Sequence, residues 1–237
     1  EGLDGVFTAG TDFSYTVAAV AQALDLPGIP PEAARAASDK VRMREELRAH
    51  GITVPDFVRL EDGDEVRKRV EPLSFPLVVK PVDNMGARGV RRVDTCTELE
   101  DAVFEARGNS HSGRVIVEEY VEGPEFSIDA LVERGSVHIT GFADRIIRFS
   151  PFFVEMGHTL PTEIEPSLRG RIEATFVEAV EALGISEGAA KGDIKWNGRE
   201  VVVGEVAARL SGGYMSGWTF PYAAGIDLSG AALNIAV

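Results

Sequence analysis

Lys80 closes an apolar, β-branched run, Leu77-Val78-Val79, and a loop through Asp83, Gly86, Ala87, Arg88 and Gly89 leads into a second run, Val90 to Val93. Glycines between two strands allow positive φ and bring backbone N–H groups close to an anion. A lysine at the strand end adds a point charge that a phosphate can share. The chemistry on offer is the covering of a polyphosphate by a hairpin. The same residues also fit an ordinary hairpin with a glycine turn and a snorkelling lysine. They do not form a Walker A loop, since no Gly-Lys-Ser/Thr ends the loop before a helix. They are no dinucleotide fingerprint either, since a strand follows.

A second constellation lies near the other end of the chain. Ala189 to Trp196 and Arg199 to Arg209 read as strands around Asn197-Gly198, a strong hairpin signal. Asp193 lies on the first strand; Glu205, Ala207 and Arg209 alternate along one face of the second. Two carboxylates beside a polyphosphate suffice for Mg²⁺, which keeps several waters. A strict two-residue turn puts Asp193 and Glu205 on opposite faces. A three-residue loop with Gly198 in the left-handed region brings them together, and that bulged form is the expectation. Ser211-Gly212-Gly213 then offers free N–H groups to an oxygen anion.

Between these stretches, Val115 to Val117 run into Glu118-Glu119-Tyr120-Val121-Glu122-Gly123-Pro124-Glu125. Carboxylates next to a buried strand need partners. A hinge that meets an adenine edge and a ribose is one use; a strand end reaching solvent is the other. Glu155 and His158 share an irregular Phe149–Pro161 segment rich in proline and aromatics, which suggests a substrate-facing loop or a core-capping one.

The elements that must position these residues follow from periodicity. Val6-Phe7 reads as a short buried strand, and Phe13, Val17, Val20, Ala21 and Leu24 as one helix face. Leu26 to Pro30 breaks the chain. Ser38 is the expected N-cap of a helix with Val41, Met43 and Leu47 inward. Lys40 in its first turn opposes the helix dipole, so it answers either solvent or an anion. A polar helix over Asp64–Val70, a capping box at Thr97–Glu100, a hairpin across Arg134-Gly135 and a helix over Leu168–Leu183 complete the pattern.

Composition bounds the class. The 237 residues, 44% hydrophobic and 26% charged, suit a globular chain with a sizeable core. A net charge of −14 argues against a nucleic-acid surface. Cys96 alone excludes a disulfide framework and a cysteine zinc site. No run approaches membrane-spanning length, so a cytoplasmic location without a membrane partner is expected. The chain opens at Glu1 without methionine and stops within a helical pattern of Leu228, Ala231, Ala232 and Ile235, so a fragment of a longer polypeptide is expected.

Taken in order, the pieces from Ser38 to Val237 resemble the ATP-grasp superfamily. The resemblance implies an α+β fold in which two lobes grip ATP, preceded by the end of an α/β Rossmann-like domain. The implied division is residues 1–37 for that remnant, 38–119 for the small lobe with its phosphate-covering hairpin, and 120–237 for the large lobe. It implies ATP with Mg²⁺, or Mn²⁺ in its place. Lys40 and Lys80 match the phosphate lysines, with Gly86 and Gly89 in the cover. Glu118, Glu119 and Val121 match the adenine hinge and Glu125 the ribose carboxylate. Asp193 and Glu205 match the metal carboxylates, while Arg209, with Arg145 as a further candidate, matches the arginine that holds an acyl phosphate. Ser211, Gly212 and Gly213 would stabilise the same group.

Phe153 to His158 with Pro161 looks most like the carboxylate–amine ligases that join amino acids, in which Glu155 and His158 would line the substrate pocket. The implied reaction is activation of a carboxylate as an acyl phosphate and attack by an amine, with small-molecule partners and a homodimer as the default assembly. Two alternatives stand beside it: a bicarbonate-phosphorylating enzyme of the carboxylase or carbamoyl-phosphate-synthase kind, and a nucleotide-binding module without turnover. The family's metal motif usually runs Glu-x-Asn-x-Arg; here Ala207 stands at the asparagine and cannot ligate.

Overall fold

The computed structural model describes residues 2–237. Glu1, where the expected N-terminal remnant opens, lies outside them. Two antiparallel sheets, each with its own apolar core, carry the chain, which is the α+β arrangement expected.

Helices α1 (Ser14–Ala23), α2 (Pro31–Ser38) and α3 (Lys40–Ala49) come first. The first sheet has the order β1-β4-β2-β3 and comprises β1 (Phe57–Leu60), β2 (Leu77–Pro81), β3 (Arg91–Val93) and β4 (Val115–Glu119). Leu60, Leu77, Val79, Val93, Val115 and Val117 pack against α5 (Leu99–Gly108), with the short α4 (Val66–Val70) beside them. The second sheet has the order β7-β6-β5-β8-β9: β5 (Glu125–Glu133), β6 (Ser136–Arg148), β7 (Val154–Thr159), β8 (Gly188–Trp196) and β9 (Val201–Ala207).

Alternation divides that second sheet into two unlike faces. Phe126, Ile128, Ala130 and Val132 of β5 join Ile194, Val201 and Val203 against α6 (Pro166–Ala182), which turns Ile172, Phe176, Ala179 and Val180 inward. The opposite face is charged over most of its extent. Its far end is closed by Leu131, Ala143 and Ala189 under a π-helical turn (Met215–Thr219), α7 (Phe220–Ala224) and α8 (Leu228–Ile235). Among the described residues no helix is long and apolar enough to cross a membrane.

Several local expectations are corrected. Val6-Phe7 forms no strand; among the described residues the N-terminal segment makes an isolated parallel bridge, Ala9 to Leu210. The Leu26–Pro30 break is there as expected, and a helix starts directly after it at Pro31, since proline at the first helical position loses no needed hydrogen bond. Ser38 therefore ends α2, and Asp39 caps α3 by accepting from the Val41 and Arg42 N–H groups. The Thr97–Glu100 box does not form, because Glu98 instead accepts from the Asp94 and Thr95 N–H groups. The Glu155–His158 segment is no loop: it is edge strand β7, paired with a β6 that runs on to Arg148.

The segments that carry the two sheets meet at two places near the β4–β5 connection. The Arg92 N–H of β3 donates to the Pro151 carbonyl at 2.8 Å, and Phe153 lies against Tyr120. Gly123 takes φ +125°, and a Cβ there would lie 2.0 Å from the Trp196 carbonyl oxygen. Gly123→Ala should therefore destabilise the chain by about 2–3 kcal/mol in urea melts; an unchanged midpoint would show that the β4–β5 connection tolerates displacement.

Candidate active site

The charged face is built by strand alternation. Glu125, Ser127 and Asp129 of β5 stand opposite Lys195, Asp193 and Lys191 of β8. Three bulges then decide what else joins them. On β9, Asp193 pairs with Glu205 but Ile194 pairs with Val203, so Gly204 is the extra residue. A Cβ on Gly204 would lie 2.9 Å from the Asp193 carbonyl oxygen, which reserves the position for glycine. On β7, Met156 is extra, since Ile146 pairs with Gly157 and Ile147 with Glu155. Residues three apart normally face opposite ways; this bulge turns Glu155 and His158 to the same side as Arg145. On β6, Thr140 is extra, and its hydroxyl donates to the Asp129 carbonyl at 3.1 Å.

The sequence thus led to the right juxtaposition of Asp193 and Glu205 by the wrong device. Gly198 does have positive φ, +91°. It sits, however, in a four-residue connection between Trp196 and Val201, and the register shift occurs at Gly204.

Arg145 is the centre of the face. Its guanidinium bonds to Glu125, to Glu155 at 2.5 Å, and lies 3.0 Å from Asp193 Oδ2. Burial works against this cation, and Asp193, Glu125 and Glu155 more than offset that, raising its pKa. Lys191 Nζ also donates to Asp193 Oδ2. Lys195 Nζ donates to the Val121 carbonyl at 2.9 Å and lies 3.6 Å from Glu125. His158 Nε2 is 3.7 Å from Glu155; burial holds the imidazole below its usual pKa, with Glu155 opposing.

Strand β2 of the first sheet and helix α3 supply the opposing cations. Lys80 Nζ donates to Glu118 Oε2 at 2.5 Å, and Arg44 Nε to Glu118 Oε1 at 2.8 Å. Lys40 Nζ donates to the Asn84 carbonyl at 2.7 Å and lies 3.7 Å from Glu205 Oε1. It is no merely solvated charge: it spans the Asp83–Gly89 loop and the second sheet. Gly86 and Gly89 take φ +67° and +66°, and the loop is anchored by Asp83, which accepts from Ser110, His111 and Ser112.

Other expected residues are engaged differently. Glu118 is 1% exposed and spent on Arg44 and Lys80, so its carboxylate secures Lys80. Glu119 points to the other face of β4 and accepts from the Ser74 N–H at 2.7 Å. The Ser211 N–H is not free: it donates to Asp129 Oδ2 at 3.2 Å, and the Ser211 hydroxyl donates to Asp129 Oδ1. Burial lifts the Asp129 carboxyl to about 6 although Ser211 opposes the shift. Gly213 lies beside Glu155, whose Oε1 is 3.6 Å from where a Cβ would stand; Gly212 is exposed. The Arg209 guanidinium donates to the Leu210 carbonyl at 3.1 Å and, among the described residues, forms no ion pair.

Sequence reasoning missed Lys191, Lys195, Asp129 and Arg44. The first three had a signal, since each lies two or four residues from a residue already picked on the same strand. Arg44 had one too, a helical turn after Lys40.

Asp193 Oδ1 is buried and has no hydrogen-bond partner among the described residues. A buried carboxylate oxygen without a partner is costly. Glu205 stands directly across, and although burial opposes its charge, Lys40, Lys191 and Arg209 hold its carboxyl at about 2. This donor set fits a hard divalent cation, with Ala207 contributing nothing. Among the described residues no group of three or more His, Cys, Asp or Glu makes a self-sufficient metal centre. Other oxygens must complete the coordination sphere.

The ATP-grasp domain family model matches residues 73–217, more than half of the chain. The chain belongs to the ATP-grasp family. An L-amino acid ligase from Bacillus licheniformis superposes with a TM-score of 0.86 and 31% identity, over 99% of this chain and 56% of that one. The uncharacterized protein y4rH of Sinorhizobium fredii is 28% identical over 215 residues, 89% of this chain and 44% of that protein. A D-alanine–D-alanine ligase of Desulforudis audaxviator is 29% identical over 203 residues, 79% of this chain and 65% of its own length. The ATP-grasp chain described here thus spans between 44% and 65% of the length of these relatives.

Acid should act through Glu118. Burial raises its pKa, yet Arg44 and Lys80 win and hold it at about 2, against an ordinary 4.5. A folded-state value below the unfolded one means the pairing stabilises in full above pH 4.5 and is lost as pH falls toward 2. Glu118→Gln should be less stable than the wild type at neutral pH and converge on it toward the acid end of that window. Parallel stability curves would show that the pair does not govern acid unfolding.

Proposed function

We propose that this chain is the nucleotide-binding and phosphoryl-transfer part of a carboxylate–amine ligase dependent on ATP and Mg²⁺ or Mn²⁺, acting on amino acids. The observation that carries the reading is the unpartnered Asp193 oxygen opposite Glu205, faced by Lys40 of α3 and Lys80 of the other sheet. The likeness to an L-amino acid ligase at 31% identity supports the amino-acid branch.

In this reading Lys40 and Lys80 bind the phosphates under the Asp83–Gly89 cover. The hinge around Glu119–Val121 takes the adenine edge, and Glu125 the ribose hydroxyls. Asp193 and Glu205 hold the cation, which supplies charge neutralisation for the phosphates. Phosphoryl transfer needs positioning and electrostatics rather than covalent chemistry from the protein. Arg209, which forms no ion pair among the described residues, orients the substrate carboxylate as it takes the phosphoryl group, with Gly212 and Gly213 alongside. Glu155 and His158, held on one face by the Met156 bulge, recognise the amino-acid portion. An amine then displaces the phosphate, giving an amide, ADP and phosphate.

The test is phosphate release from ATP and Mg²⁺ by the full chain against single and paired amino acids, with a separate arm of bicarbonate plus ammonia. Release that requires amino acids, with a condensed product by mass, is the expected result. Release confined to the bicarbonate arm, or nucleotide binding without release in any arm, would overturn it.

A further inference from the structure

Arg44 is 0% exposed, a rare place for a guanidinium. Its position follows from α3: Lys40 and Arg44 are four residues apart and so share one helix face. Lys40 reaches the covering loop and Glu205; Arg44 reaches deeper. Its Nε donates to Glu118 Oε1 at 2.8 Å, and its Nη2 donates to the Gly204 carbonyl at 2.5 Å. Glu118 in turn holds Lys80. One side chain therefore touches the anchor of Lys80 in the first sheet and the bulge that turns Glu205 toward Asp193 in the second.

The neighbouring Met43 adds a grip, since its sulfur accepts from the Val206 N–H at 3.3 Å. Helix α3 thus holds the residues on both sides of Glu205, Gly204 by its carbonyl and Val206 by its N–H. Charge pairing alone is a poor account of Arg44. Glu118 already has Lys80, and burying a second cation against one carboxylate carries a large desolvation cost. What an arginine adds is a planar fork with donors aimed in more than one direction.

We propose that Arg44 is a positioning residue for the phosphoryl-transfer site, fixing Lys80 and the Asp193–Glu205 pair in one relation across the two sheets. The inference rests on the nucleotide- and metal-binding reading given above. It separates the task of Arg44 from that of the residues in contact with phosphate and cation.

The experiment uses the full chain, Mn²⁺ detected by electron paramagnetic resonance with a non-hydrolysable ATP analogue, a fluorescent nucleotide without metal, and thermal melting. In Arg44→Lys the ammonium lacks the fork, so both Mn²⁺ and nucleotide should bind about 10–100-fold more weakly. Gly204→Ala disturbs the bulge from its other side without touching the ion cluster, and should weaken Mn²⁺ binding while leaving metal-free nucleotide binding unchanged. A purely structural Arg44 would lower the melting temperature and leave both affinities as in the wild type; that result overturns the proposal. If Arg44→Lys does not fold, unaltered Mn²⁺ binding by Gly204→Ala overturns it instead. A wild-type chain that binds neither nucleotide nor Mn²⁺ would sink the reading of the site itself. A wild type that binds both, with variants that match it, sinks only the role of Arg44.

Discussion

Arg145→Met is expected to abolish turnover and to destabilise the chain by about 3 kcal/mol, the lower end for breaking a buried ionic cluster. Glu125, Glu155 and Asp193 all bond to this guanidinium, whose side chain is 13% exposed. Without it, three carboxylates face one another with only Lys191, Lys195 and His158 nearby. Like charges in partial burial repel one another, which favours protonating one carboxyl over leaving all three ionised. If that proton goes to Asp193, its ability to hold a cation goes with it. Urea melts at neutral and mildly acidic pH check the account: the deficit should shrink as acid protonates the orphaned carboxyls. A pH-independent deficit would mean that packing rather than charge is lost. Arg145→Lys should recover part of the stability, because an ammonium satisfies one carboxylate and not three.

The second large effect is on rate alone. Lys80→Met is expected to lower turnover by about two to three orders of magnitude, the loss typical of removing one preorganised donor at a developing charge. The fold should survive, since Glu118 keeps its 2.8 Å bond to Arg44 when Lys80 is gone. Circular dichroism with phosphate-release kinetics separates the two. Unchanged turnover would remove Lys80 from the site, and loss of folding would mean that Arg44 alone cannot hold the buried carboxylate.

Much of this site was legible along the chain because strands announce their faces. The β2–β3 hairpin, the positive φ of Gly86 and Gly89, and the charged side of β8 all follow from local pattern. What stayed hidden depended on contacts between distant segments. Gly198 and Gly204 are equally permissive in sequence, and only the close approach to the Asp193 carbonyl selects Gly204 for the bulge. Ser211 looked free because its partner, Asp129, is 82 residues away. Segment β7 looked like a loop because its prolines and aromatics flank an edge strand whose pairing is broken by Met156. Glu118 looked like a ligand contact because nothing local shows that Arg44, 74 residues earlier on α3, delivers a guanidinium to it.

The two unlike faces of the second sheet have a consequence for how the chain finds its register. A slip of one residue on β8 or β9 would drive Lys191, Asp193, Lys195 or Glu205 into the apolar layer beneath α6 and bring valines out into the charged cleft. Each wrong alignment is thus penalised by charge burial, and the correct one is reached only if the Gly204 irregularity forms. The acids and bases that would serve chemistry also act as a proofreading device during assembly, so neutralising several together should increase mispaired, aggregation-prone species even where each single change is tolerated.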